Sequence, residues 1–271
     1  MGRKRNKIPQ HLADAWIKHW KTRNDNDQYE AFIRTMDFSS SGLRSRYPCP
    51  ENDGRFYQTM SLNETFQLIH LLRDNSVLEI KEQYPFVDTT KSVAMAKAIG
   101  IKHPTYPHSS TPVVITWDFR CLMAHKAYKI FSVKPESVIT QPRTRELIAL
   151  EKALAEAEGY EYELVLDTDL RCIATNNYVK ASFGAKLSVK LSAYYNKWLQ
   201  AFCNLIEQKS FDPLLESIKE VSSDLSINLR EGYRLLQHSY WLGDITSNPN
   251  VDLLPELSPY ELDLSKAVIN A

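Results

Sequence analysis

The chain has 271 residues, of which 43% are hydrophobic and 24% are charged, and its 33 lysines and arginines balance its 33 aspartates and glutamates. This length accommodates two modest domains or one large one, each with a buried core. Because the net charge is zero, any binding of nucleic acid has to come from local positive charge, and a polycation that binds nucleic acid non-specifically is excluded.

The cysteines and the first residues of the chain indicate the cellular compartment of the protein. The four cysteines lie far apart and form no CxxC pair, which favours a reducing compartment over a disulfide scaffold or a zinc ribbon. Residues 1–7 are basic, but no apolar segment follows them, so they do not form a signal peptide. No run reaches the roughly 18 apolar residues that span a bilayer. We therefore expect a soluble, intracellular (cytoplasmic) protein.

The first predicted elements are a helix, a loop and a second helix. Leu12, Trp16 and Trp20 recur at helical spacing, which predicts an amphipathic helix over residues 10–23. Residues 37–58 are polar, with turn-forming residues at 39–42 and 52–54 and arginines at 44, 46 and 55. Composition favours a solvated loop there, and the alternative is contact with a DNA backbone.

A second helix is predicted to begin at Ser61. Serine followed three residues later by Glu64 has the spacing of a capping box, which gives this glutamate a structural role without any ligand. The chain then predicts a strand over residues 77–86, a helix over 90–100 that stops at Gly100, and a loop over 102–112.

Two apolar, strand-like runs follow, at residues 113–119 and 128–135, joined by a turn near Ala124 and His125. The first run carries Asp118. The second ends with Ser132, Val133 and Lys134, and alternation along a strand places Ser132 and Lys134 on the same face. An acid and a lysine on neighbouring strands are typical of metal-dependent nucleases, although such a pair more often forms a surface ion pair.

The remainder predicts a helix over residues 145–158, a strand over 160–167 and then a mainly helical region. Its helices are predicted at 187–206, 212–221 and 228–241, followed by a turn at 246–250 and a strand-like run at 251–254. The pattern predicts an α/β domain over 1–170 and a helical, winged-helix-like domain over 171–271. Tyr194, Tyr195, Trp198 and Phe202 have helical spacing, which favours core over base stacking.

Other kinds of site have weaker support. His103, His108, Cys121 and His125 provide metal-ligating atoms, but only the last two are close in sequence, which disfavours zinc. The chain contains no GxSxG, GxxxxGK[ST] or GxGxxG motif, so it shows no sign of a serine nucleophile elbow or of ATP use.

Several segments together resemble the TnsA-type endonuclease subunit of heteromeric (TnsA/TnsB-type) cut-and-paste transposases. The resemblance covers roughly residues 35–170, and the motifs in the family's order are SSSGLRSRYPCPENDGR, SLNE, SVLEIKEQYPF, GIKHPTY, TWDF and SVKP. It implies a restriction-endonuclease-like domain of the PD-(D/E)xK type with a Mg²⁺ site in which Mn²⁺ substitutes. It also implies nicking at the 5′ ends of a transposon while a partner recombinase cuts the 3′ ends, with an AAA+-type ATPase regulator as a further partner.

The family's site residues fall here on Glu64, Asp118, Ser132 and Lys134. The resemblance implies that Glu64 and Asp118 hold the metal and that Lys134 positions the attacking water and the phosphate. Ser132 stands where the family has Gln or Glu, and a neutral hydroxyl is a weaker metal ligand. Ser132 binds the metal directly, binds it through water, or leaves this coordination position to the Val133 carbonyl. The alternatives are an autonomous restriction or junction-resolving nuclease, and a DNA-bound scaffold subunit with a weak or inactive site.

Overall fold

The structure is a computed structural model, and it describes residues 8–24, 29–37, 43–49, 54–208 and 211–267. The basic opening at residues 1–7 and the turn-forming residues 39–42 and 52–53 lie outside the described residues. Two compact units are present: the described residues of Met1–Gln67 and Asp74–Asp169 form the first, and those of Leu68–Arg73 and Leu170–Ala271 form the second. Within these ranges, no helix has both the length and the apolar character needed to cross a bilayer.

The first unit contains a central sheet flanked by helices. Its elements, in chain order, are α1 (Gln10–Arg23), β1 (Ser45–Pro48), β2 (Phe56–Thr59), α2 (Leu62–Arg73, of which the last six residues belong to the second unit), β3 (Val77–Pro85), α3 (Thr89–Ala98), β4 (Thr116–Met123), β5 (Tyr128–Lys134), α4 (Glu136–Ile139), α5 (Pro142–Ala157), β6 (Glu161–Leu166) and α6 (Asp167–Leu170).

The central sheet has the strand order β3-β4-β5-β6. Strands β3, β4 and β5 pair antiparallel, whereas β6 pairs parallel to β5. A parallel neighbour requires a crossover, and α5 provides it between β5 and β6. The mixed sheet and its several helices confirm the expected α/β fold class.

The core of this unit lies between the sheet and α5. Leu150 and Leu154 are fully buried on one stripe of α5 and pack with Trp117 and Ile130 of the sheet. Trp117 also donates a hydrogen bond from its ring nitrogen to the Glu151 carbonyl at 3.1 Å. Helix α5 is therefore fixed against β4 both by apolar burial and by a hydrogen bond.

Three sequence predictions about this unit need correction. The buried stripe of α1 consists of Ala13, Ile17 and Trp20 instead of Leu12, Trp16 and Trp20, and Leu12 is exposed. The predicted loop at 37–58 contains the antiparallel hairpin of β1 and β2. The run at 113–119 becomes a strand only at Thr116 and continues to Met123. The Val113 amide instead donates to the Pro104 carbonyl of the preceding loop, at 3.0 Å.

The second unit is mainly helical, with one small sheet. Its further elements are α7 (Ile173–Ser182), α8 (Val189–Ser192), α9 (Tyr195–Gln208), α10 (Leu214–Asp224), α11 (Leu229–Leu242), β7 (Ile245–Thr246) and β8 (Ser265–Lys266). Strands β7 and β8 pair antiparallel. Trp198 and Phe202 are fully buried and stacked with ring centroids 4.6 Å apart, so their predicted role in the core is confirmed.

Two predictions for this unit are wrong. The helix predicted over 187–206 is broken into α8 and α9 at a turn closed by the Tyr194 amide on the Leu191 carbonyl, at 3.1 Å. The run at 251–254 is not a strand, because the buried side chain of Asn177 bonds its main chain in place of a neighbouring strand. Asn177 donates to the Val251 carbonyl at 2.9 Å and accepts from the Leu253 amide at 2.8 Å.

Candidate active site where strand β4 begins and strand β5 ends

Asp118 and Lys134 lie together on neighbouring strands. Antiparallel pairing brings the start of β4 beside the end of β5. Oδ2 of Asp118 accepts a hydrogen bond from the Val133 amide at 2.7 Å and lies 3.4 Å from Nζ of Lys134. The hydrogen bonds of the described residues leave Oδ1 of Asp118 open. The aspartate is thus anchored through one oxygen and available through the other.

Glu64 adjoins this pair from the start of α2. Its amide donates to Ser61 Oγ at 3.2 Å, as in a capping box, and its carboxylate accepts from Ser61 Oγ at 2.9 Å and from the Met60 amide at 2.7 Å. Gln83 of β3 donates to the same carboxylate at 3.1 Å. The capping role that the sequence predicts for Glu64 is therefore present, and the cap fixes the carboxylate in place.

The ionisation of Glu64 depends on its surroundings. Burial raises its pKa to about 8, and repulsion from Asp118 adds to the increase, while the Met60 amide and the Ser61 hydroxyl oppose it. The surroundings of Glu64 therefore favour its neutral form, and additional positive charge beside it would favour the carboxylate. A cation between two carboxylates has this effect, so the donor set fits a hard divalent ion.

Lys134 is held as an ammonium ion. Burial lowers the pKa of this lysine, but Asp118 and Glu151 outweigh burial and raise the pKa above its ordinary value. Nζ lies 3.6 Å from Oε1 of Glu151. A lysine in this state donates hydrogen bonds and stabilises negative charge, and it does not act as a base.

Ser132 is fully buried and faces a carboxylate. Its hydroxyl donates to Oε2 of Glu151, which also accepts a long hydrogen bond of 3.5 Å from the Tyr162 hydroxyl. Ser132 and Lys134 thus contact the same side chain, which confirms that they share a face of β5. The roles of Ser132 and of the Val133 carbonyl as metal ligands remain predictions.

Glu151 is the site residue that sequence reasoning missed. It directly follows Leu150 and precedes Leu154 by three residues, so it borders the buried stripe of α5. Its side chain is 12% exposed, and burial raises its pKa. An acid bordering an apolar stripe was the only signal available, and such acids are common on solvated helix faces.

The site gathers three acids around one lysine. Asp118 and Glu151 contact Lys134 and Glu64 lies near them, so the cluster carries an excess of two negative charges when all four groups are ionised. Across the described part of the chain, no three His, Cys, Asp or Glu side chains form a ready-made metal site. An ion held here would therefore complete its coordination with main-chain oxygens and water, as Mg²⁺ usually does.

Comparison with known proteins extends beyond these residues. No protein-family model matches the chain. The chain is 23% identical over 222 residues to the transposon Tn7 transposition protein TnsA of Escherichia coli, and the match covers 81% of this chain and 78% of that protein. This similarity confirms the resemblance to TnsA-type subunits of heteromeric transposases that the sequence motifs indicate.

Proposed function

We propose that the chain is the metal-dependent DNA endonuclease subunit of a transposase and that it nicks the 5′ ends of a transposon during cut-and-paste transposition. The observation that carries the proposal is the cluster of Asp118 and Lys134 on neighbouring strands with Glu64 and Glu151 against them. The similarity to a transposition protein along four fifths of the chain supports the same function.

The proposal assigns a known type of fold to each unit. For the first unit it is the PD-(D/E)xK restriction-endonuclease-like fold, supported by the mixed sheet with an α5 crossover. For the second it is a winged-helix-like fold that binds DNA and a partner. The short turn between α10 and α11, followed by the β7–β8 ribbon, supports that assignment.

Glu64 and Asp118 would hold Mg²⁺ or Mn²⁺, with the Val133 carbonyl as a third ligand and Ser132 acting directly, through water or through Glu151. An ion held by these residues would supply charge stabilisation for the attacking and leaving oxygens of a phosphodiester. Lys134, kept protonated by Asp118 and Glu151, orients the attacking water and neutralises the phosphate. Glu151 keeps that ammonium in place through its 3.6 Å contact.

The partners in this proposal are double-stranded DNA at the transposon ends, a recombinase that cuts the 3′ strands, and an AAA+-type ATPase regulator. A chain with no net charge has little general attraction for DNA, which fits a subunit that its partners bring to the DNA.

The test is strand-resolved cleavage of transposon-end DNA by the wild-type chain, alone and with its recombinase and regulator. Each mixture is assayed with Mg²⁺, with Mn²⁺ and with a chelator. We expect 5′-strand nicks that need both the partners and the divalent ion. Cutting by the chain alone would assign it to the autonomous nucleases. Intact 5′ strands in a complex that cuts the 3′ strands would assign it to the scaffold subunits.

A further inference from the structure

A cavity of about 400 Å³ lies in the first unit beside the candidate active site. Loop residues near Tyr29 and Arg34, the β1–β2 hairpin and β3 line it. Its volume falls within the range of pockets that take small ligands. Three of its lining side chains are arginines: Arg34, Arg46 and Arg55.

Arg55 forms the fixed floor of the cavity. Its guanidinium donates to Glu82 at 2.5 Å and to the Tyr29 carbonyl at 3.1 Å, and it lies 4.3 Å from the centre of the Tyr57 ring. Glu82 is 1% exposed, so its carboxylate is occupied by Arg55 and by the Gln58 amide and does not face an incoming ligand. Glu30, the other acid of the lining, pairs with Arg23 at 2.7 Å, so both acids of the lining already have a cationic partner.

Arg46 presents an exposed cation to the cavity. It is exposed on β1, and its guanidinium lies 4.8 Å from the centre of the Phe56 ring. Among the described residues it has no carboxylate partner. Arg34, also in the lining, already forms an exposed ion pair with Asp37 through two hydrogen bonds, at 3.1 and 3.3 Å, so Arg46 is the primary phosphate contact and Arg34 the secondary one.

The cavity and the candidate active site share two strands. Phe56 and Gln58 of β2 line the cavity, and two residues beyond Gln58 the Met60 amide bonds Glu64. Glu82 of β3 lines the cavity, and the next residue, Gln83, donates to Glu64. Two residues of extended chain span roughly 7 Å, so the shared strands place the cavity and the acid cluster within a few nucleotide spacings of about 3.4 Å each.

The chemistry of the lining favours a nucleic-acid phosphate. Guanidinium groups match phosphate oxygens in geometry and charge, and a ring beside them offers a face for a sugar or base. We propose that the cavity seats a phosphodiester of the substrate DNA near the cut, on Arg46 and Arg34 with Phe56 alongside. This assignment rests on the proposed function, because it names the contact that aligns the DNA with the site.

The test is the salt dependence of DNA binding by the full chain. Anisotropy of a short labelled duplex is measured without divalent ions between about 50 and 200 mM salt. One phosphate contact contributes about 0.9 to the slope of log affinity against log salt. We expect the slope for Arg46→Ala to be smaller by that amount. The ratio of wild-type to variant affinity should then fall about 3.5-fold across this salt range. Arg46→Lys keeps the charge and should keep the slope.

Arg143→Ala is the matched control. Arg143 is an exposed arginine of the same unit, paired with Glu146 and outside the cavity lining, so its loss removes the same charge and should leave the slope unchanged. Equal slopes for Arg46→Ala, Arg143→Ala and wild type would overturn the proposal, as would wild-type binding without salt dependence.

A second arm separates a DNA phosphate from a free nucleotide. Deoxyadenosine monophosphate is titrated into the wild type and into Arg46→Ala. Mononucleotide binding that Arg46→Ala abolishes, with no change in its DNA slope, would assign the cavity to a free nucleotide and overturn the proposal. The slope measurement uses no divalent ion and no cleavage, so it stands on its own even if the chain proves not to cut DNA.

Discussion

At the scale of single residues, Glu151 is the side chain that contacts both Ser132 and Lys134. The serine hydroxyl is buried against the Glu151 carboxylate, and the same carboxylate lies 3.6 Å from the lysine ammonium. A helix residue therefore brings negative charge to the strand position where the resemblance to TnsA-type proteins implies Gln or Glu. Under the proposed function, Ser132 would orient this carboxylate.

We predict that Glu151→Gln lowers the 5′-strand cleavage rate by about 10- to 100-fold, because groups that orient a metal site typically contribute this much. Ser132→Ala should cost less, since Tyr162 and Lys134 still contact the carboxylate. The measurement is the cleavage rate as a function of Mg²⁺ concentration. A larger loss in Ser132→Ala, accompanied by a higher Mg²⁺ requirement, would instead make the serine a direct ligand.

The raised pKa of Glu82 predicts how the free energy of unfolding varies with pH. Burial raises its pKa from 4.5 to about 7, even though Arg55 opposes the increase. A carboxyl whose pKa is raised on folding binds a proton more tightly in the folded state. Its contribution is therefore fully present below pH 4.5 and is lost as the pH rises through about 7.

The lost contribution amounts to roughly 3 kcal/mol. The free energy of unfolding of the wild type should accordingly fall relative to that of Glu82→Gln between about pH 5 and pH 8. Urea unfolding at several pH values checks this prediction. Parallel pH profiles for the two proteins would show that Glu82 is ionised throughout and that the Arg55 contact outweighs burial.

At the scale of elements, local sequence predicts the first unit better than the second. Gly100 and Gly159 end α3 and α5 as predicted, with positive φ angles of 76° and 75° that favour glycine. The strands at the candidate site follow from their apolar alternation. Local sequence does not predict which strands pair. The reason is that the crossing of α5 over the sheet determines the strand order, the parallel placement of β6 and the contact of Glu151 with Ser132.

The missed features of the second unit have a similar cause. Asn177 replaces a strand partner for residues 251–254 from 74 positions away in the chain, and no local pattern reports such a contact. In the first unit, β1 and β2 are four-residue strands with mixed exposure, so their alternation is too short to recognise.

Helices α10 and α11 pack closely at Gly232. A Cβ added there would lie 1.9 Å from Oγ of Ser222 and 3.1 Å from Cγ2 of Ile218. We predict that Gly232→Ala destabilises the protein by about 1–3 kcal/mol, although alanine normally stabilises a helix interior by about 1 kcal/mol relative to glycine. Thermal unfolding checks the prediction.

Ser222→Ala provides the control. It removes the nearest clashing atom but leaves Ile218 in place, so the double variant should recover part of the loss. A Gly232→Ala protein as stable as the wild type would show that the two helices separate at little cost.

At the scale of the whole molecule, the assigned activity depends on groups from four elements of the first unit. Glu64 comes from α2, Asp118 from β4, Lys134 from β5 and Glu151 from α5. The sequence motifs name the first three through resemblance, and the fold adds the fourth. If this cluster had only a structural role, DNA cleavage would not depend on it.

The most direct measurement is strand-resolved cleavage by the assembled complex containing Asp118→Ala or Lys134→Ala, with Arg143→Ala as the matched surface control. We predict intact 5′ strands with Asp118→Ala and a loss of about 10²- to 10³-fold with Lys134→Ala, while 3′-strand cutting and the control remain as in the wild type. Unchanged 5′-strand nicks in both variants would contradict the proposed active site.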